Sequence, residues 1–411
     1  ELFDGGIKGR GLRATKEIST GEVVFAEPSY SAVVFDSFAS QVCHSCFRHQ
    51  AQLHRCGQCK FAHYCNRTCQ TACWEEHKQE CQAIRKLGTV PGDKVRLAAR
   101  VMWRIHKDTG VASDSQLLSV EELEDHVADL PEDHLKRIDT DVHVFLQYWS
   151  CGRTKHSLDE IAHIFGIIKC NGFTLSDQRG LKAVGVGLFP NLCLVNHDCW
   201  PNCSVVLNHG KIELRALRKI CEGEELTVSY VDFLDTSAER QRKLKEHFYF
   251  ECTCEHCRQH IKDDLMTAAR RPWGERGRCT PLLRLHQLHP SLYWGLFFLR
   301  QVRMLCSKCL EKQKNLLADT HLHHLRVLSA AVEVLSYLRC FSEAAAYARR
   351  MVQGYTKLYH PNSAQLGIAV MRAGVTHLQA GMIEMAHELI CKAYRILLVT
   401  HGPNHSVTRD L

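Results

Sequence analysis

A dense run of potential metal ligands between Cys43 and Cys81 constrains this sequence more than any other feature. It contains four closely spaced pairs: Cys43 and Cys46, Cys56 and Cys59, Cys65 and Cys69, and His77 and Cys81. Two thiolates at Cys-x2-Cys spacing can reach one zinc ion, and x3 spacing on a helix places two ligands on one face. Eight ligands fit two tetrahedral zinc sites, and because the segment has few apolar residues, we expect the metal to supply its folding free energy. The spacing leaves open whether the pairs act in order or interleaved.

Composition limits the class of protein further. The chain has 411 residues, 45% hydrophobic and 24% charged, which suits two or three folded domains. Its apolar runs are far shorter than the ~20 residues that span a bilayer, and no apolar leader opens it, so we predict an intracellular protein without a membrane segment. The 22 cysteines occur largely in short groups, which favours metal ligation over disulfides. A net charge of +7 permits contact with nucleic acid but leaves direct DNA binding open.

Three further motifs follow the zinc-ligand segment in a fixed order. They are Asn-His-Asp-Cys-Trp-Pro-Asn-Cys from Asn196, Gly-Glu-Glu-Leu-Thr-Val-Ser-Tyr from Gly223, and the cysteines Cys252, Cys254 and Cys257. Near the start of the chain, Lys-Gly-Arg-Gly-Leu begins at Lys8. Alone, these glycines would indicate only a tight turn. The order of all four motifs is much more specific than any one of them.

Together these motifs resemble the SET and MYND domain family of protein-lysine methyltransferases, and especially its muscle-type member, over residues 5 to 260. The resemblance implies an α+β fold, in which a β-rich SET domain carries an inserted MYND zinc finger and a helical insertion. An all-α tetratricopeptide-like domain follows. The implied boundaries are 1–42 for the first part of SET, 43–81 for MYND, 82–165 for the helical insertion, 166–240 for core SET, 241–262 for the post-SET segment and 263–411 for the helical domain.

The resemblance also implies three zinc ions. In MYND fingers the pairs interleave, so one ion would be held by Cys43, Cys46, Cys65 and Cys69, and the other by Cys56, Cys59, His77 and Cys81. A third ion would be held by Cys199, Cys252, Cys254 and Cys257. The alternative for Cys199 is a small buried residue inside a cofactor motif. Cys73 is surplus to these sets, and we expect it to be a spectator.

The family pattern implies that S-adenosylmethionine is the cofactor. Its binding residues would be Lys8, Gly9, Arg10, His126, Asn171, Asn196, His197, Tyr230, Phe248, Tyr249 and Phe250. For His126 an exposed helix histidine is an equal alternative. Tyr230 is the predicted catalytic residue, because its hydroxyl can orient the substrate amine; the alternative is a core tyrosine at the end of a strand.

The carboxy-terminal part becomes amphipathic and alanine-rich from about Leu317. Tyr-His-Pro-Asn at Tyr359 recurs as His-Gly-Pro-Asn at His401, an offset of 42 residues, which predicts repeated helix pairs. The segment 271–304 is anomalous, because it has no sustained helical period. Cys306 and Cys309 have the spacing of a zinc half-site but lack partner ligands, so we expect helix packing.

The function implied by the resemblance is methylation of lysine on histone tails or other proteins, with a role in transcription, in nucleus and cytoplasm. MYND fingers bind proline-rich peptides or corepressors, and the helical domain would bind a chaperone. The competing hypothesis is a catalytically weak adaptor that recruits partners through these two parts. The intact cofactor and tyrosine motifs favour the enzyme.

Overall fold

The computed structural model describes residues 1–108, 117–149, 156–177, 182–208, 210–270 and 296–411. The chain forms two compact units, between which it passes several times. The first consists of Glu1–Asn196, Val205–Thr227 and Glu246–Tyr249, and the second of His197–Ser204, Val228–Lys245 and Phe250–Leu411. Each unit is described on its own. Among the described residues, no helix combines the length and the apolar character that crossing a membrane requires.

Twelve short strands occur in the described chain. They are β1 (Leu2–Asp4), β2 (Arg10–Leu12), β3 (Val23–Pro28), β4 (Ser31–Val34), β5 (His54–Arg55), β6 (His63–Tyr64), β7 (Phe173–Ser176), β8 (Ala183–Leu188), β9 (Asn196–His197), β10 (Cys203–Asn208), β11 (Lys211–Ala216) and β12 (Thr227–Val228). In the first unit β8 pairs antiparallel with β4 and β7, and β11 pairs antiparallel with β3. A Cβ at Gly185 would lie 2.4 Å from the Val33 carbonyl oxygen, so glycine permits the close pairing of β8 with the buried β4.

The zinc-finger segment consists of the β5–β6 pair followed by one long helix, α1 (Arg67–Leu87). The Asn66 side chain caps this helix by accepting a hydrogen bond from the Cys69 backbone N–H at 3.0 Å. Gly88 ends it with φ at 75°, the left-handed conformation that glycine adopts without strain. The caps therefore fix both ends of the helix that carries Cys69, His77 and Cys81.

Helices dominate the segment that follows the zinc finger. They are α2 (Asp93–Asp108), α3 (Glu132–Trp149) and α4 (Leu158–Asn171), and the four-residue α5 (Pro190–Cys193) comes later. Helix α2 lies within the predicted helical insertion and buries Val95, Leu97 and Val101. A capping box formed by Ser157 and Glu160 begins α4.

A fully buried carboxylate on α1, that of Glu80, joins the zinc finger to the rest of the first unit. Arg100 of α2 donates from Nη2 to Glu80 Oε2 at 2.6 Å and from Nη1 to the Ala32 carbonyl of β4 at 2.7 Å. Arg96, one turn earlier, lies 3.7 Å from Glu80 and donates to the Val34 carbonyl at 2.8 Å. Burial raises the pKa of the Glu80 carboxyl, but Arg100, His77 and Arg96 together outweigh burial and hold that pKa well below its usual range.

The remaining helices form most of the second unit. They are α6 (Ser237–Phe248, whose last three residues belong to the first unit), α7 (Glu255–Arg258), α8 (Asp263–Met266), α9 (Leu296–Gln313), α10 (Leu322–Tyr337), α11 (Phe341–Leu358), α12 (Ala364–Gln379), α13 (Ile383–Thr400) and α14 (Ser406–Arg409). The helices α12 and α13 begin 42 residues after α10 and α11, which is the offset of the repeated Pro-Asn turns. Strands followed by stacked helices confirm the predicted α+β class with a helical carboxy-terminal region.

The prediction that 271–304 lacks a helical period is wrong at its end. Residues 271–295 lie outside the described chain, but α9 begins at Leu296. Its buried positions Val302, Cys306, Cys309 and Leu310 follow helical spacing. Three of these four buried positions come after residue 304, so the segment 271–304 alone does not show the helical period. Cys306 and Cys309 are thus buried in a helix, as expected for packing.

We predict that replacing Glu80 with Gln destabilises the protein by about 3–5 kcal/mol, because Arg100 would be left buried beside a neutral group. The matched control is Glu75→Gln on the same helix, whose exposed carboxylate pairs with the surface lysines Lys78 and Lys107. Urea unfolding of zinc-saturated protein, with zinc content measured in parallel, gives the comparison. Equal stability of the two variants would show that Glu80 does not hold this junction.

Candidate active site and metal centres

Two groups of four potential zinc ligands lie in the zinc-finger segment of the first unit. Within each group all ligand atoms lie within 4.8 Å of one another. The groups are Cys43, Cys46, Cys65 and Cys69, and Cys56, Cys59, His77 and Cys81. The Sγ atoms of Cys46 and Cys65 are 3.6 Å apart, close to the ~3.8 Å edge of a tetrahedron with ~2.3 Å Zn–S bonds. The clusters can therefore hold zinc, and their grouping is the interleaved one.

The His77 ring has a second partner that sequence reasoning missed. Its Nε2 atom lies 3.5 Å from Cys59 Sγ, within the ligand cluster, and its Nδ1 atom lies 2.7 Å from Glu80 Oε2. A carboxylate behind a metal-binding histidine fixes the ring orientation and tautomer. The available signal was a Glu three residues after a ligand histidine on a helix. Cys73 is buried outside both groups, and its Sγ lies 3.5 Å from the His44 carbonyl oxygen.

A third group of four thiols lies in the second unit. It consists of Cys199, Cys252, Cys254 and Cys257, whose Sγ atoms all lie within 4.8 Å of one another. Cys199 and Cys257 Sγ are 3.4 Å apart. Hydrogen bonding with the neighbouring thiols, Cys199 first, lowers the pKa of Cys254, which favours the thiolate that binds metal. Cys199 is buried, as the alternative reading expected, but it is buried inside a donor set that fits zinc.

Residues from three distant motifs meet at Glu225 in the first unit. Lys8 Nζ lies 2.6 Å from Glu225 Oε2, and the Asn196 amide donates to Glu225 Oε1 at 3.0 Å. Gly9 has φ 70° and ψ −149°, which favours glycine, and nothing lies within 4 Å of a Cβ built there. A Cβ at Gly11 would lie 2.7 Å from Asn196 Nδ2. An open backbone turn thus lies between the basic residues Lys8 and Arg10.

Most of the other predicted cofactor residues of the first unit lie in the segment from Glu122 to His126 or contact it. Arg10 donates to the Glu122 carbonyl at 2.8 Å, and the Asn171 amide donates to the Glu124 carbonyl at 2.8 Å. The His126 ring stacks on the Tyr249 ring at 4.8 Å between centroids, with Asp129 3.0 Å from its Nδ1 atom. His126 is half-buried and contacts both Tyr249 and Asp129, so it is not a solvated helix histidine. Phe248 ends α6 beside Tyr249 in the chain and is half-buried.

Three predicted residues lie together in the second unit. Ring centroids are 5.3 Å apart for His197 and Tyr230, 5.9 Å for His197 and Phe250, and 6.3 Å for Tyr230 and Phe250. Tyr230 lies two residues beyond β12 and is half-buried rather than part of the core. An aromatic group with a phenol at its edge can enclose an aliphatic side chain and hydrogen-bond the amine at its tip.

Comparison with known proteins agrees with this arrangement. The SET domain family matches residues 9–231. The chain is 54% identical to the human histone-lysine N-methyltransferase SMYD1, over 100% of the chain and 87% of the relative. It is 33% identical to mouse histone-lysine N-methyltransferase SMYD3, over 100% of the chain and 95% of that relative. It is 29% identical to N-lysine methyltransferase SMYD2-B of Xenopus laevis, over 98% and 96%.

The matched SET residues include Tyr230, the Asn196 motif and the turn at Gly9, and the three thiol-rich clusters have the donors and spacing that zinc requires. The similarity to methyltransferases extends over the whole chain. The chain therefore belongs to the SET and MYND domain family, and it is a protein-lysine methyltransferase that uses S-adenosylmethionine.

Proposed function

We propose that this enzyme methylates lysine side chains of histone tails and of other proteins, with Tyr230 as its catalytic residue. The observation that carries the proposal is the group formed by His197, Tyr230 and Phe250, with Tyr230 at its half-buried edge. Relatives named as histone-lysine and as N-lysine methyltransferases support both substrate classes.

The chemistry needs a neutral, correctly oriented amine. With a lysine pKa near ~10.4, only about one side chain in 2,500 is neutral at pH 7, so deprotonation costs roughly 4–5 kcal/mol. When bound, S-adenosylmethionine supplies the methyl group and a positive sulfonium. The aromatic side chains Tyr230 and Phe250 exclude water from the lysine stem, and desolvation lowers the pKa of its ammonium group. The Tyr230 hydroxyl accepts or donates one hydrogen bond and so holds the amine in line.

The proposed ligands follow the clusters described above. The cofactor would be bound by Lys8, Gly9, Arg10, His126, Asn171, Asn196, His197, Tyr230, Phe248, Tyr249 and Phe250. Three zinc ions would be bound by the two groups between Cys43 and Cys81 and by the group around Cys199. Glu225 would act indirectly, since it fixes Lys8 and Asn196 relative to each other.

We propose that the MYND finger and the helical domain recruit partner proteins in nucleus and cytoplasm. This recruitment would contribute to transcriptional control in muscle. The MYND finger, residues 43–81, would bind proline-rich peptides or corepressors, and Trp74, 41% exposed on α1, provides an aromatic surface for them. The helical domain, residues 263–411, would bind a chaperone, and Leu378 and Ile383 offer exposed apolar side chains. Methylation of a protein array with labelled cofactor would identify the substrates.

Replacing Tyr230 with Phe should slow methyl transfer about 10²-fold or more while cofactor affinity changes little, because only one hydroxyl is lost. Single-turnover methylation and calorimetric titration on the same preparation separate the two effects. Tyr337→Phe, which removes a hydroxyl from an exposed tyrosine of α10, is the matched control. Wild-type turnover in the Tyr230 variant would refute the catalytic role.

Metal analysis should give three zinc ions per wild-type chain and two in Cys199→Ser, because a serine hydroxyl is a poor replacement for a thiolate ligand. Cys221→Ser removes an exposed cysteine outside all three groups and should keep three. Three ions in the Cys199 variant would remove this residue from the third set.

A further inference from the structure

The two ring nitrogens of His197 have different partners. Its Nδ1 atom accepts a hydrogen bond from the Tyr230 backbone N–H at 2.9 Å, and its Nε2 atom lies 3.3 Å from Cys199 Sγ. A neutral imidazole has one protonated nitrogen, and Nδ1 is the acceptor here. The proton is therefore on Nε2, where it points at the Cys199 sulfur. The ring is buried, so both contacts are shielded from water.

The sulfur that receives this proton belongs to the third thiol cluster. Four thiolates around one Zn²⁺ leave a net charge of about −2, which N–H donors stabilise. Arg240 is fully buried as well, and its side chain interacts with Cys199 and Cys257. Its Nη2 atom is already held by Ser237 Oγ at 3.0 Å.

The other end of the His197 ring fixes the backbone at the catalytic residue. Tyr230 follows β12 by two residues, so its N–H lies beyond the strand and the His197 ring supplies its acceptor. Nearby, the Asp198 N–H donates to the Val228 carbonyl at 3.0 Å, which aligns the two segments. The orientation of the Tyr230 phenol thus depends on a backbone atom that the imidazole holds.

We infer that His197 is a positioning residue that couples the third zinc site to Tyr230. The zinc-bound Cys199 thiolate fixes the His197 tautomer through Nε2–H, and Nδ1 then holds the Tyr230 backbone in the orientation that methyl transfer needs. The inference rests on the proposed catalytic role of Tyr230. Because both ring nitrogens of His197 already have partners, His197 would bind the cofactor through its backbone.

Two substitutions separate the two ends of the ring. In His197→Asn the amide oxygen replaces Nδ1 as acceptor for Tyr230, whereas the donor to Cys199 is lost. In His197→Gln the amide nitrogen replaces Nε2 as donor to Cys199, whereas the acceptor for Tyr230 is lost. Full-length zinc-loaded protein is compared for kcat, KM, calorimetric S-adenosylmethionine affinity and zinc release to a chelator.

We expect His197→Gln to lower kcat about tenfold, the effect of one lost hydrogen bond, with unchanged cofactor affinity and zinc release. His197→Asn keeps an acceptor for the Tyr230 N–H and should therefore lower kcat less than His197→Gln does, but it should release its third zinc several times faster than the wild type. Equal kcat in the two variants, or a loss that lies in cofactor affinity, would overturn the inference.

The tautomer provides a test that does not depend on turnover. Nitrogen-15 NMR of histidine-labelled wild-type protein should show His197 protonated at Nε2 and unprotonated at Nδ1, with assignment by loss of the signal in His197→Asn. The opposite tautomer would overturn the inference. If wild-type protein were inactive, the proposed function would fail, while the tautomer and zinc release would still decide whether the thiolate holds the ring.

Discussion

The Glu80 carboxylate lies where the zinc finger, the helical insertion and a buried strand of the first unit meet. It orients His77 from behind the ligand cluster, and it neutralises Arg100, which in turn binds the Ala32 carbonyl of β4. A buried ion pair contributes specificity of arrangement more than net stability, because desolvation offsets much of the attraction. Removing one partner of the Glu80–Arg100 pair nevertheless destabilises the fold, because the other charge is left buried without a counter-charge. The finger is thereby attached to the β-rich part through charge as well as packing.

A second junction of this kind occurs in the other unit, around the thiol cluster of Cys199. The cluster joins the Asn-His motif to the post-SET cysteines, and the His197 ring connects it to Tyr230. The helical repeats also contact this region, since the Tyr359 hydroxyl donates to Asp232 at 3.2 Å and Lys262 donates to the Leu358 carbonyl. Residues on both sides of Tyr230 are thus held by parts of the chain far from it in sequence.

The sequence predicted the features that are encoded locally. Ligand spacing identified the close cysteine and histidine pairs, and the repeated Pro-Asn turn gave the period of the helix pairs, because both are set by residues close together in the chain. The grouping of these pairs into sets of four, and the place of Cys199 in the third set, came from the resemblance to the family. Contacts between residues far apart in the sequence could not be predicted from spacing. Glu80, Arg240 and Glu225 are ordinary charged residues until the tertiary structure places them beside Arg100, Cys199 and Asn196. The start of the helix at Leu296 was missed because most of its buried positions follow residue 304.

Identification of the methylated product tests directly whether this protein methylates lysine in histones. Purified full-length protein is incubated with labelled S-adenosylmethionine and recombinant histones, and the histones are then hydrolysed to amino acids. We predict label in Nε-methyllysine, dependent on enzyme and absent when histone lysines are blocked beforehand. Label recovered only on other amino acids, or no label despite measured cofactor binding, would contradict lysine methylation of histones by this protein.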